Sequence, residues 1–260
     1  MEEIVLSSVF IILGLIVGSF LNVVIYRLPL EQSIVRPRSH CPACGASIKF
    51  YDNIPVISYL ILMGKCRNCR TRISLFYPMV ELFTAFTFWF SYVMFKDLTH
   101  GYVIFAIVFL CLLFILALID LRHMILPLEL TIGGAVVFLI YSFFNPVLSP
   151  LNAFGSAFGG MAAFAAIYFF YLKVRKIEGL GQGDIWMMLL LGSFLGVNKL
   201  VITILTASLA GLLVGLFFIF FRKKNLRMAL PFGTFLGLGG YISLFWGENI
   251  LRLIQHLLYR

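Results

Sequence analysis

Charge is scarce in this chain. Only 12% of its 260 residues are Asp, Glu, Lys or Arg, while 62% are hydrophobic. Soluble domains carry about 25% charged and about 45–50% apolar residues, so an ordinary water-soluble domain is excluded. Acids are scarcer still: there are 11, and the aspartates among them are only Asp52, Asp97, Asp120 and Asp184. A removable basic leader is not expected at the start of this sequence. Its first apolar run opens Met1-Glu2-Glu3 and continues to Arg27 without a small-residue cleavage site, so a retained helix is expected. No glycine-rich nucleotide turn lies on a strand–helix unit. No aromatic–basic pattern accompanies the net charge of +9, which argues against a nucleic-acid partner.

What the chain does have is apolar runs close to the ~20 residues that span a bilayer. They fall at 4–26, 74–95, 103–119, 127–144, 152–172, 185–197, 200–221 and 230–246. The pattern predicts an all-α polytopic membrane protein with about eight transmembrane helices and a small zinc-binding cytoplasmic loop domain. The expected divisions are a first transmembrane helix at 1–26, the loop domain at 27–73, a transmembrane core at 74–246 and an amphipathic C-terminal segment at 247–260. In that last segment Ile250, Leu253, Ile254, Leu257 and Leu258 recur at helical spacing, as in a short helix lying on the outer membrane surface.

Alternating the loops across eight spans puts sixteen of the 20 Lys and Arg residues on one side, leaving Lys96, Lys199, Arg252 and Arg260 on the other. Basic loops stay cytoplasmic, which places 27–73, 120–126, 173–184 and 222–229 inside the cell and both termini outside. Most of the positive charge is then topology and attraction to anionic membrane lipid.

The longest of these loops contains Cys41-Pro-Ala-Cys44 and Cys66-Arg-Asn-Cys69. Two C-x-x-C turns aim two sulfurs each at a common point and suit one tetrahedral zinc. Four thiolates leave no open position, so the expected role is structural, and a disulfide is disfavoured in a reducing compartment. His40 adjoins the cluster as a substitute ligand or, more simply, a surface histidine. Cys111 lies in an apolar run and reads as core.

Asp120 directly follows one apolar run and Asp184 directly precedes another, both at the cytoplasmic boundary of this topology. Either could mark a helix end, and Asp184 could be an N-cap. The stretch Glu178-Gly-Leu-Gly181-Gln-Gly183-Asp184 favours chemistry, because glycines let another chain approach a carboxylate closely. Two carboxylates sharing a site hold one proton between them, so one can activate water while the other polarises a peptide carbonyl. The reading is a metal-independent aspartic peptidase with Asp120 and Asp184 as catalytic pair. Glu81, inside the second apolar run, is a candidate for binding an amino group of cofactor or substrate, or for pairing with Arg27 or another loop arginine to fix the helix and zinc loop; Asn22 and Arg27 are related candidates. Glu129 reads as a helix-end acid.

The chain resembles the type IV prepilin peptidase family. The resemblance runs through Gly18-Ser-Phe-Leu-Asn-Val-Val-Ile-Tyr-Arg-Leu-Pro29, Arg36-Pro-Arg-Ser-His-Cys41-Pro-Ala-Cys44, Gly64-Lys-Cys-Arg-Asn-Cys69, Tyr77-Pro-Met-Val-Glu81, the G-x-G-D motif ending at Asp184, and Pro231-Phe-Gly233. It implies a bifunctional enzyme of the bacterial inner membrane. Such an enzyme cleaves the basic leader from prepilins or pseudopilins at the cytoplasmic face, then methylates the new N-terminal residue with S-adenosylmethionine. A leader peptidase without methyltransferase activity is the nearest alternative. The resemblance assigns catalysis to Asp120 and Asp184 and links the cysteine loop, with the first two helices, to methyl transfer. The chain departs from the family at Leu128, where Asp is common, and at Trp186, where Lys is common; both bear on charge and specificity near the site.

Overall fold

The computed structural model describes residues 2–176, 180–222 and 230–258. Lys223, Lys224, Arg227 and Arg260 of the charge pattern, and Glu178 and Gly179 of the glycine-rich stretch, lie outside the described residues. Among the described residues the elements are helical, with no β-strand: α1 (Glu2–Arg27), α2 (Ile57–Ile61), α3 (Phe76–Phe95), α4 (His100–His123), α5 (Leu128–Tyr141), α6 (Pro150–Arg175), α7 (Gln182–Arg222) and α8 (Phe232–Leu258). α1, α3, α4, α6 and α7 are long and apolar enough to cross a membrane, and α5 is a shorter apolar helix. The protein is a multi-pass membrane protein. Its chain divides into two compact units, Met1–Ile107 and Val108–Arg260.

In the first unit α1 and α3 pack through glycine. A Cβ on Gly14 would lie 2.5 Å from Ala85 Cα, and one on Gly18 would lie 2.7 Å from Glu81 Cα. Glycines four apart share one helix face and let two backbones meet, which is how helices associate in lipid where burial alone gives no drive. The antiparallel seam continues at one end to Phe10 stacked on Tyr92 (4.6 Å) and at the other to Asn22, whose Nδ2 donates to Tyr77 O at 3.1 Å. Thr84 and Thr87 satisfy their hydroxyls within α3, donating to Val80 O and Phe83 O at 2.8 and 2.9 Å.

In the second unit α7 packs against α5, α6 and α8. Gly192 meets Ala157 backbone, where a Cβ would sit 2.6 Å from Ala157 Cα. Gly237 and Gly240 of α8 face Leu113 of α4, and Tyr241 Oη donates to Leu110 O at 2.9 Å. Phe194 stacks on Phe109 (4.7 Å) and packs against Phe138 (5.0 Å), tying the same helices together away from the polar ends.

The runs 185–197 and 200–221 fall in α7, where the helix is interrupted at Gly196 with φ 74° and ψ 172° so that two helices meet there. Only glycine adopts that backbone without strain. The break is served from α6: Val197 N–H donates to Asn152 Oδ1 at 3.1 Å, and Ser156 Oγ donates to Gly192 O at 2.8 Å. At the other end, residues 247–258 are not a separate surface helix but continue α8, with Glu248 3.6 Å from Lys199 of α7. Gly247 lies against the stem of that lysine, and nothing in the sequence there interrupts the helical ladder.

The close approaches make glycine replacements position-specific. Gly14→Ala and Gly192→Ala should each lower thermal stability in detergent, by about 1–3 kcal/mol of overpacking. Gly159→Ala, where an added Cβ meets nothing within 4 Å, should be neutral or stabilising by up to about 1 kcal/mol. Equal loss at all three positions would contradict the packing described.

Candidate active site and metal centre

Asp120 lies three residues before the end of α4 and Asp184 sits in the first turn of α7. Each is only 6% exposed. Asp184 is the third residue of its helix, not the residue before it, so it is not the N-cap. Both acids belong to the second unit, Val108–Arg260.

Glycine builds the surroundings of both acids. A Cβ on Gly181 would lie 3.1 Å from Asp184 Oδ2, and one on Gly233 would lie 3.0 Å from Asp120 Oδ2. Leu126 bridges the two regions: its side chain lies 2.9 Å from the Cβ positions of both Gly183 and Gly233. Neither Gly181 nor Gly183 has a positive φ. The glycines therefore matter for the side chain they lack, and not for backbone freedom. Any Cβ at Gly181 or Gly233 would crowd a carboxylate oxygen.

Sequence reading missed Thr234, the first residue beyond the Pro231-Phe-Gly233 motif. Its backbone N–H donates to Asp120 Oδ2 at 2.7 Å, and its hydroxyl lies 3.1 Å from the same oxygen and 3.0 Å from Ala117 O. A hydroxyl both donates and accepts. With Asp120 ionised it can donate to the carboxylate; with Asp120 protonated it can accept and donate onward to Ala117 O. Its position next to the glycine motif was the available signal. Glu129 is an exposed acid in the first turn of α5, as expected of a helix-end residue, and Trp186 is half-buried two residues beyond Asp184.

The four cysteines come together in the first unit. Cys41, Cys44, Cys66 and Cys69 place their sulfurs within 4.8 Å of one another, and Cys41 Sγ lies 3.8 Å from Cys69 Sγ. Sulfurs at tetrahedral corners around zinc, with Zn–S near ~2.3 Å, are ~3.8 Å apart. The cluster can hold a metal ion. Both halves are built alike. Gly45 N–H donates to Cys41 O (2.8 Å) and Arg70 N–H to Cys66 O (3.0 Å), at left-handed φ of 70° and 60°. Cys41 and Cys66 N–H donate to Ala46 O and Thr71 O, both at 2.9 Å. The Thr71 hydroxyl, and then its backbone N–H, pull the Cys69 thiol down to about 6, which favours the thiolate a metal needs. His40 turns its Nδ1 to Arg38 O at 3.1 Å and is not part of the cluster. Asp52 braces the second half by a bidentate pair with Arg67 (2.6–3.1 Å), and that guanidinium holds its carboxyl below the usual range.

Three buried polar residues lie nearby in the same unit. Glu81, 8% exposed, accepts the Val56 N–H at 2.8 Å. Arg27, 7% exposed, donates from Nη1 to Ser33 O (3.0 Å) and Pro37 O (2.8 Å). Among the described residues the two do not form the ion pair that one sequence reading anticipated. Asn22 Oδ1 is buried without a partner.

Two family models match successive parts of the chain. Residues 12–95 match the bacterial peptidase A24 N-terminal domain, and residues 107–216 match the type IV leader peptidase family. Proteins named prepilin leader peptidase/N-methyltransferase are similar throughout. The one from Pseudomonas putida is 35% identical over 95% of this chain and 93% of its own length. The one from Pseudomonas aeruginosa is 36% identical over 93% and 91%. The Myxococcus xanthus protein is 43% identical over 81% of this chain, which spans 63% of that protein's length. No solved structure matches the chain. With relatives of this identity covered almost end to end, the chain belongs to the type IV leader peptidase family.

Proposed function

We propose that this protein removes the basic leader from prepilins or pseudopilins with Asp120 and Asp184, then N-methylates the new N-terminus using S-adenosylmethionine. The observation that carries the peptidase half is the pair of buried carboxylates at helix ends, surrounded by glycine where side chains would block them. The relatives' names support both halves.

The reaction needs one acid ionised and one protonated. The ionised carboxylate takes a proton from water as its oxygen attacks the scissile carbonyl carbon, and the protonated carboxyl gives its proton to the carbonyl oxygen. Collapse of the tetrahedral intermediate breaks the C–N bond, with a proton passing to the departing amine. Two adjacent carboxylates hold a single proton at neutral pH because their charges repel, and their titration belongs to the pair. Thr234 serves Asp120 in either state, since its hydroxyl can reverse direction. No metal enters this step.

Eight spans are proposed, with α7 counted as two segments meeting at Gly196, and with the 27–73 loop and the dyad facing the cytoplasm of an inner membrane. A substrate with an apolar helix behind a basic leader would present its scissile bond at such an edge, where water is available. Cys41, Cys44, Cys66 and Cys69 hold a structural zinc that shapes the loop. S-adenosylmethionine supplies the methyl group for the processed amine, in the region formed by α1, α3 and the 27–73 loop.

Three outcomes follow. Asp120→Asn and Asp184→Asn should each abolish prepilin cleavage in a gel-shift assay while the protein still inserts in membranes; cleavage by either variant would overturn the dyad. Thr234→Val should lower kcat roughly ten- to a hundredfold, the scale of a hydrogen bond to a charged group, and Thr234→Ser should restore most of it. Loss in both would mean packing, not hydrogen bonding, is at work. Cys66→Ser should cut zinc from one per chain to near zero by mass spectrometry of purified protein, and unchanged zinc would contradict the four-thiolate site.

A further inference from the structure

Arg27 is a buried cation in the last turn of α1, an apolar helix long enough to cross a membrane. It is 7% exposed, yet no carboxylate pairs with it among the described residues. Both of its hydrogen bonds leave from Nη1, to the Ser33 and Pro37 carbonyls. A guanidinium has five N–H donors, so Nε and Nη2 remain for another partner. A buried cation without a counter-charge is costly, and an anion beside it is the direct remedy.

Arg27 lines an open cavity of about 770 Å³ that lies within the first unit, between α1 and the loop that follows it. Arg38 brings a second guanidinium to the same wall, and none of the lining residues is acidic. Guanidinium forks match the oxygens of carboxylates and phosphates. The cavity therefore selects an anion. A ligand of net positive charge, such as S-adenosylmethionine, does not suit it.

The α1 wall indicates what the anion is attached to. Ile16, Phe20, Val23 and Arg27 follow at spacings of four, three and four, so they share one helix face, and all four line the cavity. Ile16 and Phe20 are 55% and 51% exposed, and Ile12, one turn farther along, is 56% exposed. The apolar lining thus continues as an open stripe along the helix. The rise from Ile16 to Arg27 is ~16 Å, about the depth of one leaflet of a ~30 Å hydrocarbon core. An acyl chain on that stripe would bring its own phosphate to the level of Arg27. Ser19, Ser39 and Asn53 add hydroxyl and amide groups to the wall, suited to a polar headgroup.

We propose that this cavity holds one anionic phospholipid. Arg27 and Arg38 receive its phosphate, and one acyl chain lies along Phe20, Ile16 and Ile12. A zwitterionic lipid would bring an ammonium group to a wall with two guanidiniums and no carboxylate, so phosphatidylglycerol is preferred over phosphatidylethanolamine. Because Arg27 also bonds the Ser33 and Pro37 carbonyls, the lipid ties the start of the loop to the membrane surface.

Native mass spectrometry of the full-length protein in detergent tests this, with phosphatidylglycerol and phosphatidylethanolamine titrated separately. Arg38→Gln is the informative variant, since replacing Arg27 could disturb the loop it anchors. Arg72→Gln removes the same charge from an exposed loop position outside the cavity. Melting temperature monitors the fold of each variant. The expected result is one phosphatidylglycerol per chain, bound at least tenfold more tightly than phosphatidylethanolamine. Arg38→Gln should weaken it at least tenfold, the scale of one charge-assisted hydrogen bond, and Arg72→Gln should not. Equal binding of the two lipids to the unmodified protein would overturn the proposal, whatever the fold of the variants. Equal weakening in both variants would also overturn it, as general attraction between a basic loop and anionic lipid. Glycerophosphoglycerol, the same headgroup without acyl chains, forms the second arm. It should not displace the lipid at a roughly hundredfold excess; displacement would mean a site for a soluble phosphate ester, and the lipid assignment would fail.

Discussion

Two carboxylates, Asp120 and Asp184, are buried at the ends of apolar helices, and their proposed pairing accounts for most features of the surroundings. Removing an ionised carboxylate from water costs several kcal/mol even after relaxation, and a second one nearby adds repulsion. Donors must therefore reach them, and bulky side chains must stay away. Thr234 supplies the donors for Asp120 from both its backbone and its hydroxyl. Gly181 and Gly233 leave space against the two carboxylates, and Leu126 fills the region between Gly183 and Gly233. The helices that carry the acids are fixed farther along by glycine contacts and the Phe109–Phe138–Phe194 cluster. A rigid apolar bundle with its acids at the edge is suited to chemistry that needs water beside a membrane-embedded substrate.

The first unit solves a different problem. The segment between α1 and α3 is long, mostly exposed and has no core of its own to order it. Its structure comes from local devices: two matched cysteine turns, the Asp52–Arg67 pair, and Arg27 and Glu81, which reach out from α1 and α3 to bond loop backbone. Metal binding by four thiolates contributes on the order of 10–16 kcal/mol in small zinc modules, enough to dominate the order of such a segment. Val56, held at a φ of 59° that is unfavourable for a β-branched residue, gives its N–H to Glu81. Glu81 thus ties the loop to α3 through a backbone N–H in place of an arginine, the ion pair that its position in the sequence suggested being absent among the described residues.

Hydropathy made the apolar helices legible, because membrane spans are written in composition. The C-x-x-C pairs made the metal cluster legible, because two short turns leave few other ways to use four sulfurs. Asp120 and Asp184 stood out because acids are so few. The break at Gly196 was visible as a gap between two runs, but its service by Asn152 and Ser156 was not, since those residues lie over forty positions and thirty positions away. Thr234 and Leu126 were also hidden. Each acts across a tertiary contact; Thr234 is flagged only by its place beside Gly233, and Leu126 by nothing. Glu248 could be seen as helical but not as part of α8, because the sequence pattern alone does not show whether a helix runs on through Gly247.

The central claim is that Asp120 and Asp184 share one site, and distance-limited cross-linking tests it most directly. In a Cys111→Ala background with the zinc cysteines metal-protected, Asp120→Cys and Asp184→Cys would be combined. A short bifunctional methanethiosulfonate reagent would then be applied to the membrane-embedded protein. The account predicts an intramolecular link between positions 120 and 184 by peptide mass spectrometry. Two thiols that each react singly with the reagent but never become joined would contradict it.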